Sequence, residues 1–362
     1  MKIAIVGAGI VGSTAAYYLS KEKDAEVTVF DHGLGQATKA AAGIISPWFS
    51  KRRNKAWYRM ARLGADFYQD LVSDLENDGY DTSFYDQSGV ALLKKDDSKL
   101  DGLYQHAETR LEESPIIGEL SIKNAAELPE FTGFDRYLYA SGGARVEGAE
   151  LTATLIEASG FEKVEGLVTL SPLDNGTYEI NGQTFDKVIL ACGAWLGQTL
   201  ETLGFEVDVR PQKGQLRDYF FEGLDTGRLP VLMPEGELDV IPFAGGKISV
   251  GASHENDQGF DLTVDETVLA SLEEEAKTYF PDLSTAKSFS ERVGTRAYTS
   301  DFSPFFGEVP ELESVFVASG LGSSGLTTGP LIGKNLVELA MNRSGSLDSA
   351  DYPVAQYVKK KD

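Results

Sequence analysis

Three glycines, Gly7, Gly9 and Gly12, follow an apolar run at residues 2–6, and Asp31 closes a second such run at 26–30. This is a G-x-G-x-x-G turn between a buried strand and a helix, with an acid about 19 positions downstream, close to the spacing of a dinucleotide site. Gly7 permits a tight turn, Gly9 lets the backbone approach a pyrophosphate, and Gly12 lets the helix pack closely on the sheet. A helix over residues 10–19 then aims its first amides and positive dipole end at the phosphates. Asp31 accepts hydrogen bonds from a ribose, and its charge disfavours a 2′-phosphate. The uncharged run after Lys2 also fits a secretory leader, but a leader accounts for neither the glycines nor the acid-tipped strand.

A second G-x-G-x-x-G, Gly320-Leu321-Gly322-Ser323-Ser324-Gly325, lies between an apolar strand at 315–319 and a helical pattern at 331–340. A nicotinamide enzyme needs one such loop. A flavin enzyme uses a second helix N-terminus to stabilise negative charge on the reduced ring. The pair points to FAD, with Gly322, Gly325 and Leu326 against the ring. A P-loop is excluded, because residues 329–335 have the wrong spacing and Asn335 stands where Ser or Thr must hold magnesium.

The elements that position these loops fit a chain of 362 residues with 42% apolar content, large enough for two domains. Met60, Leu63, Phe67, Leu71 and Leu75 recur at helical spacing and predict a core-facing helix over 56–75. A helix at 151–159, strands at 164–170 and 178–180, and a buried strand at 185–191 follow. Between 210 and 251 several runs alternate as in an antiparallel sheet. The reading is a mixed α/β fold: a Rossmann-type FAD-binding domain (1–85, 145–208 and 290–362) interleaved with an antiparallel-sheet substrate domain (86–144 and 209–289).

The net charge of −23 disfavours nucleic acid and anionic lipid as partners. No integral membrane segment is expected. The one cysteine, Cys192, allows neither an internal disulfide nor a thiolate metal site, which suits a cytoplasmic setting. The basic residues Lys51, Arg52, Arg53, Lys55, Arg59 and Arg62 read as a solvated helix face before a phosphate or partner site. His32 and His106 lie in no motif and read as surface residues.

In order along the chain, the N-terminal loop with Asp31, Ala41-Ala42-Gly43-Ile44, residues 188–195 ending Cys192-Gly193-Ala194-Trp195, Lys213-Gly214-Gln215, Gly294-Thr295-Arg296 with Asp301, Pro304 and Gly307, and the loop at 320–325 form a specific set. On these pieces the chain resembles, over nearly its full length, the D-amino acid oxidase superfamily of FAD-dependent amine oxidases, especially its glycine oxidase and sarcosine oxidase branch. The resemblance implies non-covalent FAD held by Gly7, Gly9, Gly12 and Asp31, with Thr38, Ala42, Gly43 and Gly193 along the pyrophosphate and ring and Val168 at the adenine. It implies that Arg296 grips the carboxylate of a small amino acid, setting its Cα–H over flavin N5. The alternative for Arg296 is a structural ion pair.

The departures from that family set further expectations. Arg296 stands where the sarcosine oxidase branch carries a flavin-linking cysteine, and Ser249 where it carries an oxygen-activating lysine. The electron acceptor is therefore open between O2 and another oxidant. Asp239 and Ser323 stand where glycine oxidases place a tyrosine and a second arginine at the substrate, and Asp239 would meet an extra cationic group. His254 follows a segment that lines the family's active site and would give a pH-dependent contact. Other readings are an FAD-dependent 2-hydroxy acid dehydrogenase, a NAD-dependent dehydrogenase and a non-catalytic flavin-binding subunit. Oligomeric state is not legible.

Overall fold

The computed structural model describes residues 1–361. One sheet of six strands runs in the order Phe305–Glu308, Val315–Ser319, Lys187–Leu190, Lys2–Val6, Glu26–Asp31, Glu162–Glu165. All neighbours are parallel except the first pair. The central strands are near-continuous apolar runs because the sheet is covered on both faces. Ile3 and Ile5 face one core cluster and Ala4 and Val6 the other.

The helix Ile10–Leu19 leaves the first strand and is buried along its whole length. A Cβ on Gly12 would come within 1.8 Å of the Gly7 carbonyl oxygen, and Gly7 itself has φ +100°. Only glycine fits at either position. The helix Lys55–Asn77 buries Met60, Phe67, Leu71 and Leu75 as the periodicity predicts, with Leu63 half-buried at the edge of that stripe.

A second sheet of eight strands has the order Ser288–Tyr298, Arg210–Phe220, Lys247–Gly251, Asp239–Phe243, Val231–Met233, Val90–Leu92, Arg136–Ala140, Leu120–Asn124. It is antiparallel apart from the pair Val90–Leu92 and Val231–Met233, which joins its two halves in parallel. The buried Arg145 braces the centre by donating to the carbonyls of Gly227, Leu229 and Pro242 and to Asp86.

Two boundaries and the basic cluster differ from expectation. The strand expected at 164–170 is Glu162–Glu165, ended by Gly166 at φ +129°, so Leu167 and Val168 belong to a loop. The helix expected at 331–340 is Gly325–Ala340, with Pro330 inside it. Proline lacks the N–H that would bond the Leu326 carbonyl and normally breaks a helix. Here the Tyr68 hydroxyl donates to that oxygen at 2.7 Å, so the ladder is completed from the neighbouring helix. The basic cluster is not one helix face: Arg59 pairs with Asp351, Arg62 with Asp66, and Lys51 reaches the site described next. No helix among the described residues is long and apolar enough to cross a membrane.

Candidate active site

Two cavities open at the carboxyl ends of the parallel strands, the usual ligand position in such sheets. The first, about 180 Å³, is lined by Gly7, Gly9, Asp31, Thr38, Val168, Gly193, Gly322 and Gly325 among others. The second, about 680 Å³, is lined by Ala42, Gly43, Asp239, His254, Arg296, Ser323 and Leu326 among others. Ala37, Thr38, Gly322 and Gly325 line both, so the cavities share a wall. Of the residues assigned from sequence to cofactor or substrate contact, Gly12 alone lines neither; it acts by letting the helix approach.

The first cavity fits a dinucleotide in its details. Asp31 is buried and accepts from the Ala8 N–H at 3.0 Å and from Gln36 Nε2 at 2.6 Å, which fixes its carboxylate at the tip of the strand. Thr38 Oγ1 accepts from the Ile10 N–H at 3.0 Å, serving the first helix, which has no side-chain cap of its own. Gln36 Oε1 and Thr295 Oγ1 are buried without a hydrogen-bond partner, although both residues line this cavity. Leaving such atoms unpaired is costly, so they call for a polar ligand. His32 is exposed but also lines the cavity, so it is not remote from the site as its sequence context implied. Cys192 is there too, its thiol pushed up to about 12 by burial, which makes it a poor nucleophile.

The strand Ser288–Tyr298 connects the two cavities. The Thr295 N–H donates to the Gly35 carbonyl at 3.0 Å, pinning this strand of the larger sheet to the loop after Asp31. Side chains alternate along a strand. Thr295 and Ala297 therefore line the first cavity, and Gly294 and Arg296 the second.

Arg296 reaches across the neighbouring strand because position 214 is glycine. A Cβ there would lie 2.5 Å from Arg296 Nη1. Nη1 donates to the Ser253 carbonyl at 2.8 Å and to Gln212 Oε1 at 3.2 Å. No carboxylate lies within ion-pair distance of Arg296 among the described residues, so the structural ion pair weighed from sequence is not formed. Burial draws its pKa below the ordinary arginine value, while Tyr298, Glu237 and Glu255 oppose that shift. The result is a half-satisfied cation facing a cavity.

Around it, His254 Nδ1 lies 3.6 Å from Glu237, and burial and Arg296 lower the imidazole pKa. Burial alone raises the Asp239 carboxyl to about 8. The Ser323 N–H donates to the Tyr298 hydroxyl at 3.0 Å. Gly322, at φ +54°, lies so close over the Tyr298 ring that any Cβ would meet it at 2.1 Å. Ser249 lines neither cavity: it is buried, donates to Asp218 and accepts from Arg292, which in turn donates to the Ala41 carbonyl.

Sequence reasoning assigned no site role to Gln36, nor to Lys94 and Glu237 on the second cavity, and it read Lys51 there as part of a solvated basic face. Gln36 is reached only because the chain turns back after Asp31, and the others come from loops with no local signature. Thr295 sat inside a quoted motif, and strand alternation would have identified it.

Residues 2–339 match the family model described as DAO, FAD dependent oxidoreductase. The chain is 38% identical over 366 residues to an uncharacterized oxidoreductase, YurR, of Bacillus subtilis (strain 168), covering 97% of this chain and 98% of that one. It is 29% identical over 369 residues to glycine oxidase of Pseudomonas aeruginosa, with 98% of each covered. Among solved structures, iminodiacetate oxidase (IdaA) from Chelativorans sp. BNC1 superposes with a TM-score of 0.92 at 30% identity, covering 97% of this chain and 98% of that chain. A cavity at the glycine loops with two unpaired polar atoms, a full-length family match and full-length kinship to oxidases lead to one conclusion: this chain belongs to the DAO family of FAD-dependent oxidoreductases.

Proposed function

We propose that this enzyme oxidises the C–N bond of a small amino acid of the glycine or iminodiacetate type. The observation that carries the reading is Arg296, a half-buried guanidinium without a counter-ion, in a cavity that shares its wall with the cofactor cavity. A substrate carboxylate would complete it through paired charge-assisted hydrogen bonds, which also fix the orientation of Cα. When bound at the first cavity, FAD would supply the two-electron acceptor for this oxidation. The imine left behind hydrolyses to an oxo acid and an amine.

The chain's own residues divide this work. Gly7, Gly9, Gly12, Asp31, Thr38 and Val168 hold the dinucleotide, with Gln36 and Thr295 as further polar contacts. Ala42, Gly43, Gly193, Gly322, Gly325 and Leu326 lie along the ring, and the helix opening at Gly325 places its positive end there. Arg296, with Ser323, His254 and Asp239, surrounds the substrate. The segments read as Rossmann-type, 1–85, 145–208 and 290–362, carry mainly the first set, although residues 290–298 form part of a strand of the larger sheet, and the remainder carries mainly substrate contacts. The glycine oxidase and iminodiacetate oxidase relatives support the substrate class.

Ser249, which the resemblance sets at the position of an oxygen-activating lysine, is engaged with Asp218 and Arg292. O2 and another acceptor are therefore both to be tried. The lone cysteine favours a reducing, cytoplasmic setting. The test is anaerobic addition of glycine, sarcosine, iminodiacetate and D-amino acids to the FAD-loaded protein, followed in the visible. Bleaching by at least one supports the reading, with admission of air separating oxidase from dehydrogenase. No bleaching by any of them, with hydroxy acids bleaching instead, would replace it.

A further inference from the structure

Three carboxyls line the larger cavity, and two are engaged. Glu235 accepts from Lys99 Nζ and the Lys95 N–H, both at 3.3 Å, and Glu237 faces His254. The Asp239 carboxyl makes no hydrogen bond or ion pair among the described residues, although the residue opens the strand Asp239–Phe243, in register with Gly251, and lines the same cavity as Arg296. The cavity thus carries an unpaired cation and an unpaired carboxyl that do not touch each other. A zwitterionic amino acid carries the opposite pair of charges on two groups joined to one carbon, Cα.

We infer that Asp239 is the counter-charge for the substrate's ammonium group and accepts the proton which that nitrogen must lose before oxidation. The inference rests on the amino acid reading above and needs no additional cationic group on the substrate. In the proton step an N–H bond breaks and an O–H bond forms on the Asp239 carboxylate. The electron pair stays on nitrogen, where it becomes available for the C=N bond; no oxidant is needed for this step.

The environment suits a proton acceptor. Burial raises the Asp239 carboxyl to about 8, with no cation near enough to offset it. The other ionisable groups lining the cavity are Lys51, Lys94, Lys99, Glu235, Glu237, His254 and Arg296. Lys99 is held by Glu235. His254 is turned to Glu237, and burial and Arg296 depress its pKa, so its charge changes below the range in which Asp239 titrates.

The test uses two ligands that cannot be oxidised at Cα–H: 2-aminoisobutyrate, which has the ammonium group and no α-hydrogen, and isobutyrate, which lacks the amine. Each is titrated into the FAD-loaded enzyme from pH 6 to 9.5, following the visible difference spectrum. Wild type should prefer the amino compound, with a preference that grows as pH rises through about 8. Asp239→Asn should lose that preference by roughly 10- to 100-fold at the high end while isobutyrate binding stays within about threefold. Asp239→Glu should retain the preference with a shifted midpoint, and it serves as the readout where the Asn variant loses FAD. An Asn variant that keeps the wild-type preference and pH profile would overturn the inference. If amino acids bleach the wild type while that happens, the amino acid reading survives; if none bleaches it, both fall.

Discussion

Arg296 and Asp239 carry the account at the scale of the residue. The sequence picked out Arg296 through its motif, but the reason it reaches the cavity lies on another strand, at Gly214. Gly214→Ala should displace the guanidinium, raising KM for the amino acid roughly 10-fold or more while FAD content stays unchanged. Steady-state kinetics beside a flavin absorbance count checks this. Asp239 was legible as a departure from the family, but its lack of partners was not, since that depends on every loop around the cavity. Its raised pKa means the folded state holds a proton that the unfolded chain releases from about pH 4 upward. This group's contribution to stability therefore falls as pH rises from about 4 to about 8. Urea unfolding should show Asp239→Asn gaining stability relative to wild type across that window, and a pH-independent difference would contradict the assignment.

At the scale of the element, the glycine loops were legible because Gly7, Gly12, Gly320 and Gly322 each have a steric reason that no other residue type meets. The first turn of Gly325–Ala340 was not legible, because Pro330 signals a break and only the Tyr68 hydroxyl from a distant helix removes the penalty. Gly64 allows that closeness: a Cβ there would come within 2.2 Å of the Thr327 carbonyl. Tyr68→Phe should leave the Leu326 carbonyl unpaired and cost about 1–3 kcal/mol, measurable by denaturant unfolding. Because Leu326 lies at the proposed ring site, FAD affinity should weaken in the same variant. Equal stability and equal FAD affinity would show that the helix start does not depend on Tyr68.

For the whole molecule, the mixed architecture was readable from two kinds of hydrophobic pattern, continuous in the 2–6 and 315–319 strands and alternating between 210 and 251. The parallel join of Val90–Leu92 to Val231–Met233 was not, since nothing local in either segment names its partner. That join matters for function, because it closes the sheet over which the larger cavity lies, while the Thr295–Gly35 bond ties that sheet to the cofactor loop. The central claim is that these two halves bring a carboxylate-binding arginine against the FAD site. The most direct test compares wild type with Arg296→Lys, both FAD-loaded, under anaerobic titration with the amino acids that bleach the wild type. The account predicts that the variant keeps its FAD spectrum but needs at least about 100-fold more substrate for half-reduction, since lysine lacks the paired donor geometry. Equal substrate dependence in the two proteins would contradict it.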